Sequence, residues 1–180
     1  MDSNGGAPRE IAVPVSVFGS LRSELAKEAG TLSTVHALHS AGYQAGTAVA
    51  PSLAGKADRG ATAVAENAFW SRLSGFFEER GWGALRHHPV HRAVGFLTST
   101  DWAEANGSDP DPDASCFFST GFLSGLLSAV AGAPVAVLEI GCRTRGEDEC
   151  KFAFGSETAI HTLYGRLLDG DRLAEALDAL

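Results

Sequence analysis

The chain has 180 residues and a mass of 18.7 kDa, enough for one domain that buries about 70% of its unfolded surface without disulfide staples. Its 14 Lys and Arg against 22 Asp and Glu leave a formal charge of −8, which repels phosphate backbones and argues against nucleic acid as a direct partner. Hydrophobic residues at 44% and charged residues at 20% exclude a disordered chain. Residues 29–55 and 114–138 lack Asp, Glu, Lys and Arg, but neither reads as a membrane span. The first carries His36, His39 and Gln44; the second is broken by Gly132 and Pro134 and dotted with Ser115, Ser119, Thr120, Ser124 and Ser128. Three cysteines behind a polar, acidic start fit a reducing compartment, so a cytoplasmic location is expected.

Residues 1–14 are expected to form a flexible tail and residues 15–180 a single domain. Phe18, Leu21, Leu25 and Ala29 recur at helical spacing over residues 15–28 until Gly30 stops them. A second helix runs from Thr31 into the late forties with Leu32, Val35, Leu38 and His39 on one face, and Gly42 and Gly46 weaken it. Residues 50–60 read as a loop. Val64, Ala68, Phe69, Leu73, Phe76 and Phe77 then repeat at helical spacing, and Arg80 and Gly81 supply a cationic last turn and a glycine stop. Residues 85–91 and 94–100 are short β-branched segments suited to a hairpin, with Pro89 on an edge strand. Asp101, Glu104, Asp109, Asp111 and Asp113 lack the spacing of a calcium loop and read as a solvated acidic loop. A helix over residues 115–130, strands in VAVLEI and CKFAFG, a helix capped by Ser156, and a last helix from Asp171 complete the pattern. The expected fold class is α+β, helices packed against an antiparallel sheet of about four strands.

The sharpest chemical feature is Glu139-x-x-Cys142 followed by Cys150 eight positions on. A hairpin centred on Gly146 sets Cys142 opposite Cys150. Strict alternation puts Glu139 on the other face, unless a bulge at Gly141 re-aims it. Cys116 stands at the start of a helix, where the positive helix end favours a thiolate. Three thiolates and one carboxylate make a tetrahedral set that selects zinc over calcium or magnesium. A Cys142–Cys150 disulfide and plain buried thiols are the other readings of the same residues.

From Cys116 onward, Cys116, Gly121-Phe-Leu-Ser-Gly125, Gly132, Glu139-x-x-Cys142-Arg143-x-x-Gly146 and Cys150-x-Phe152 resemble the 4-vinyl reductase domain family. That family includes sensor domains of aromatic-responsive transcription activators and stand-alone relatives, with a fold like that of TRAPP vesicle-tethering subunits. The resemblance implies a structural zinc held by Cys116, Glu139, Cys142 and Cys150, and a homodimer. Sensors of the family hold phenol-like ligands with a Trp and a His upstream of the first zinc cysteine; here the Trp position falls near Ser99, and Trp102 lies just beyond.

Phe69, Phe76, Phe96, Trp102, Phe117 and Phe122 are the candidate pocket aromatics, with core packing as the alternative. Gly121, Gly125, Ser128 and Gly132 form a small-residue stripe, which makes either a pocket wall or a close helix contact. His36 and His39 have no nearby third ligand, and His87, His88 and His91 lie with Arg86 and Arg92 in a strand that faces either solvent or an anionic partner. The leading functional expectation is a non-enzymatic, zinc-stabilised sensor for a small hydrophobic or aromatic molecule that signals to a regulatory protein partner. Two alternatives stand beside it. One is an accessory factor or enzyme in tetrapyrrole (bacteriochlorophyll) vinyl reduction, although no Gly-x-Gly-x-x-Gly follows a strand. The other is a TRAPP-like scaffold or dimerisation protein.

Overall fold

The computed structural model of the chain describes residues 10–53, 63–105 and 116–180. Helices α1 (Ser16–Ala29), α2 (Thr31–Leu53) and α3 (Ala63–Glu78) precede a hairpin of β1 (Arg86–Pro89) and β2 (Val94–Ser99). A 3-10 turn at Ala103–Ala105 follows, then α4 (Phe117–Ala131), β3 (Ala136–Gly141), a 3-10 turn at Arg143–Arg145, β4 (Cys150–Gly155), α5 (Glu157–Leu168) and α6 (Leu173–Asp178). The four strands form one antiparallel sheet in the order β1-β2-β4-β3. The architecture is the expected α+β arrangement, and Pro89 lies on an edge strand, the usual place for proline in a sheet.

Period-two alternation along β2 and β4 divides the core between the two faces of the sheet. Leu97, Phe152 and Cys150 join α2, α3 and α4 on one face, through Val49, Leu73, Phe77, Leu123 and Leu126. Val94, Phe96 and Ala153 join α5 and α6 on the other, through Ile160, Leu163 and Ala176. Ser156 caps α5 as its sequence predicts, its side chain accepting from the Ala159 N–H. Among the described residues, no helix is long and apolar enough to cross a membrane.

Four local expectations are corrected. Helix α2 extends to Leu53, so the loop begins later than Ala50; the rest of that loop lies outside the described residues. The buried stripe of α2 is Thr34, Leu38, Gly42, Gly46, Val49, Ala50 and Leu53, while Leu32 is exposed. The two glycines do not interrupt the helix; they are where α4 crosses it. A Cβ on Gly42 would lie 2.1 Å from the Phe118 carbonyl oxygen, and one on Gly46 would lie 2.0 Å from that of Phe122. Glu104 does not belong to a solvated loop: it is buried in the turn ahead of α4, while the later acidic positions of that run lie outside the described residues.

Candidate functional site

The hairpin of β3 and β4 carries the bulge that its cysteine spacing requires. Ala136 to Glu139 pair with Gly155 to Phe152 in one register, and Gly141 pairs with Lys151 one residue out of it, so Ile140 is the extra residue. Gly141↔Lys151 lies on the register that sets Cys142 opposite Cys150. Beyond it, the Arg143–Arg145 turn folds back on Cys142, whose carbonyl accepts from the N–H groups of Arg145 at 3.0 Å and Glu147 at 3.3 Å. Gly146 ends that turn with φ 92°, a left-handed conformation suited to glycine.

The bulge brings Glu139 and both hairpin thiols to one place, where Cys116 meets them from the N-cap of α4. The Sγ atom of Cys116 lies 3.9 Å from that of Cys142 and 4.0 Å from that of Cys150, and the four ligand atoms all fall within 4.8 Å of one another. A zinc ion with Zn–S bonds of about 2.3 Å has S–S edges of about 3.8 Å, so these spacings match a tetrahedron and the donor set fits. All three cysteines are free, and each is at most 1% exposed. Oε2 of Glu139 also accepts the Cys116 backbone N–H at 2.8 Å, tying β3 to the first turn of α4.

The proton distribution of the cluster follows from crowding. Hydrogen bonds from Cys116 and Cys150 hold the Cys142 thiol well below its ordinary value. Sharing its proton with Cys142 and Cys150 holds Cys116 well above its own, with burial and the nearby Glu139 and Glu104 adding to the rise. Cys150 is drawn down by its hydrogen bond with Cys116, but the one with Cys142, together with burial, outweighs this and pushes it up to about 12. A divalent cation of soft preference would favour the thiolate form of all three.

A second carboxylate, missed in the sequence, holds the same helix end. Glu104 accepts from the backbone N–H groups of Phe118 at 3.0 Å and Ser119 at 2.7 Å, and from the Ser119 hydroxyl. That hydroxyl accepts in turn from Nε1 of the fully buried Trp102 at 2.8 Å. Burial drives Glu104 up to about 7 against the pull of these hydrogen bonds. Its value in the fold thus exceeds the ordinary 4.5. The unfolded chain releases this proton first, and its contribution to stability declines as pH rises from the ordinary value to about 7. We expect Glu104→Ala, which strips three acceptor contacts from a buried helix end, to destabilise by about 2–3 kcal/mol in urea titrations. We expect Glu104→Gln to flatten this decline between about pH 4.5 and 7.

Beside this network lies a cavity of about 620 Å³ between α2, α3 and α4, within the usual range for small-molecule sites. Phe76, Trp82, Phe118 and Phe122 wall it with aromatic rings, and Ala45 and Ala48 keep the α2 side open. Of the sequence candidates, Phe76 and Phe122 line it. Phe117 instead lines a separate hollow between α1 and α2, with Arg22 and Thr34. Phe69 packs edge-on to Trp70, and Phe96 lies on the opposite face of the sheet among Val94, Ile160 and Leu163, because its parity along β2 points it there. Trp102 stands between the two sites: its ring packs against Phe77 at 5.1 Å and Trp82 at 5.7 Å, and its N–H faces Ser119. Gly121 and Gly125 face the α2 backbone, their would-be Cβ atoms 2.0 and 2.1 Å from the carbonyl oxygens of His39 and Tyr43, which is the close-contact reading of the small-residue stripe.

Trp82 and Phe118, stacked at 5.9 Å and 11°, were not singled out in the sequence. Trp82 sits in a Gly-Trp-Gly turn whose glycines both have positive φ, and that is the local signal for a ring held outside regular structure. His36 and His39 are brought to no metal cluster among the described residues. His87 stacks on Trp70 at 4.0 Å, and His88 is hydrogen-bonded to Thr98, so part of the histidine strand is spent on packing.

Several solved structures share this fold, among them the following three. The phenol-responsive sensory domain of the transcription activator PoxR with phenol aligns at TM-score 0.67 and 18% identity, covering 83% of this chain and 77% of that one. A vinyl-4-reductase family protein from Methanocaldococcus jannaschii aligns at 0.53 and 16%, covering 81% and 83%. A trafficking protein particle complex subunit 3 from Naegleria fowleri, covalently bound to palmitic acid, aligns at 0.61 and 14%, covering 78% and 91%. No curated protein matches the sequence. Residues 103–156, which run from the Glu104 turn through Cys116 and the whole β3–β4 hairpin, match the 4-vinyl reductase domain, the family that the cysteine pattern resembles.

Proposed function

We propose that this chain is a sensor domain in which Cys116, Glu139, Cys142 and Cys150 hold one structural zinc ion and the aromatic cavity takes a small hydrophobic molecule. The observation that carries the reading is the shared helix α4. Its first turn is held by Cys116, Glu139 and Glu104, and that turn and the one after it present Phe118 and Phe122 to the cavity. A ligand that displaces Phe118 thereby pulls on the turn that the metal fixes. Zinc in such a site supplies no reaction; it ties hairpin to helix and stabilises the fold. The family match over residues 103–156 and the fold shared with a phenol-responsive domain support the reading. On this reading the domain acts in the cytoplasm as a homodimer that passes its signal to a regulatory protein.

The test has two parts. Elemental analysis is expected to give one zinc per chain, and a protein purified without metal would refute the first half. Titration with 2-naphthalenemethanol, an uncharged aromatic probe, is expected to quench Trp82 fluorescence. Ala48→Phe, which fills the open α2 side of the cavity, is expected to weaken the probe by about tenfold or more, about 1.4 kcal/mol. Equal binding by the filled variant would place the ligand elsewhere.

A further inference from the structure

The cavity has one cation among its described lining residues, Arg80, held in an unusual way for a surface arginine. It stands two residues past α3, and Nη1 donates back to the Phe76 carbonyl at 3.0 Å. Its guanidinium lies 3.9 Å from the centre of the Phe76 ring, one wall of the cavity. The carbonyl and the ring fix the plane of the fork, so little side-chain freedom is left to lose when it meets a ligand. Nε points to a carboxylate: Glu10, from the segment before α1, accepts from it through Oε1 at 2.9 Å and Oε2 at 3.0 Å. Glu10, Ile11 and Ala12 thus form part of the cavity mouth.

We propose that the molecule bound here is an aromatic monocarboxylate, with its ring among Phe76, Trp82, Phe118 and Phe122 and its carboxylate on Arg80 in place of Glu10. The inference rests on the cavity being a ligand site, as proposed above. Glu10 marks where a carboxylate sits on the guanidinium, and releasing it costs little, because an ion pair this exposed is worth about 0–1 kcal/mol. Ile11 is 87% exposed at the mouth, an apolar side chain that gains cover when a ligand fills the space beneath it. An amine ligand is the competing chemistry, since Glu10 and Glu79 also border the cavity. Their side chains are 45% and 79% exposed and lack the platform that holds Arg80.

Isothermal titration of the full chain with 2-naphthoate, 2-naphthalenemethanol and 2-naphthylmethylamine tests this. 2-Naphthoate is expected to bind about tenfold tighter than the alcohol, as a charge-assisted contact allows. Arg80→Gln is expected to erase that ratio, and Glu10→Gln, an exposed change that leaves Arg80 in place, is expected to tighten naphthoate about threefold by removing its competitor. Equal binding of naphthoate and alcohol, unaltered by either substitution, would overturn the proposal while leaving the cavity as the ligand site. Tightest binding of the amine would overturn it in favour of the two glutamates. Binding of none of the three would overturn both the proposal and the reading it rests on.

Discussion

Cys150→Ser is expected to cost about 3–5 kcal/mol, lowering the thermal midpoint by roughly 6–20 °C in a domain of this size. The thiol of Cys150 is buried at the start of β4, 4.0 Å from that of Cys116, and is one of the contacts by which the hairpin reaches α4. A serine of similar size keeps the volume but is a poor ligand for a soft cation. The competing view is that Cys150 is an ordinary small core residue, in which case the change costs about 1 kcal/mol. A chelator separates the two. It is expected to bring the wild-type midpoint down to that of the variant and to leave the variant unmoved; a chelator without effect on the wild type would mean that no metal stabilises the fold. Acidification should act in the same direction. Metal binding requires deprotonated thiols, so it holds their values in the fold below those of the unfolded chain, the case in which stability is lost as pH falls. Cys116 and Cys150, the two thiols whose protons are otherwise held most tightly, are the ones that must release them.

The gathering of Cys116, Glu139, Cys142 and Cys150 was legible in the sequence because a hairpin is a local object. Gly146 fixes the turn, counting outward from it pairs Cys142 with Cys150, and Gly141 marks where the strand must bulge for Glu139 to reach the same side. Strand β4, the cap at Ser156 and the extent of α1 follow from equally local rules. Glu104 was hidden because its partners stand 14 and 15 residues away, and a count of carboxylates and prolines describes solvation but not long-range bonding. Its neighbours held the clue: Trp102, Ala103 and Ala105 are apolar, and all are buried with it. The cavity was half legible. Phe76 and Phe122 have helical spacing, whereas Trp82 lies in a turn and Arg80 reads as a helix-ending cation. Phe96 misled because a strand aromatic signals burial without saying on which face.

The glycines of α2 show the same limit and lead to the second large expected effect. Isolated-helix energetics count Gly42 and Gly46 as defects worth about 1 kcal/mol each, and that reasoning alone would call Gly→Ala stabilising. Yet Gly42 and Gly46 on α2 and Gly121 and Gly125 on α4 have the same four-residue spacing, and each would place a Cβ at 2.0–2.1 Å from a carbonyl oxygen of the other helix. Those atoms are backbone and cannot rotate aside, so even one methyl group must push the helices apart. Gly121→Ala is therefore expected to destabilise by about 2–4 kcal/mol, overpacking exceeding any gain in helix propensity. It should also loosen the cavity, because α2 and α4 supply opposite walls through Ala45 and Phe122. Gly165→Ala, in a helix position with nothing within 4 Å of the added carbon, is the matched control and is expected to be neutral or stabilising by up to about 1 kcal/mol. Urea denaturation of the pair reads the difference directly. Opposite signs at Gly121 and Gly165 would identify backbone contact as the reason for glycine in α4, and a stabilised Gly121→Ala would show that the two helices stand further apart than these spacings require.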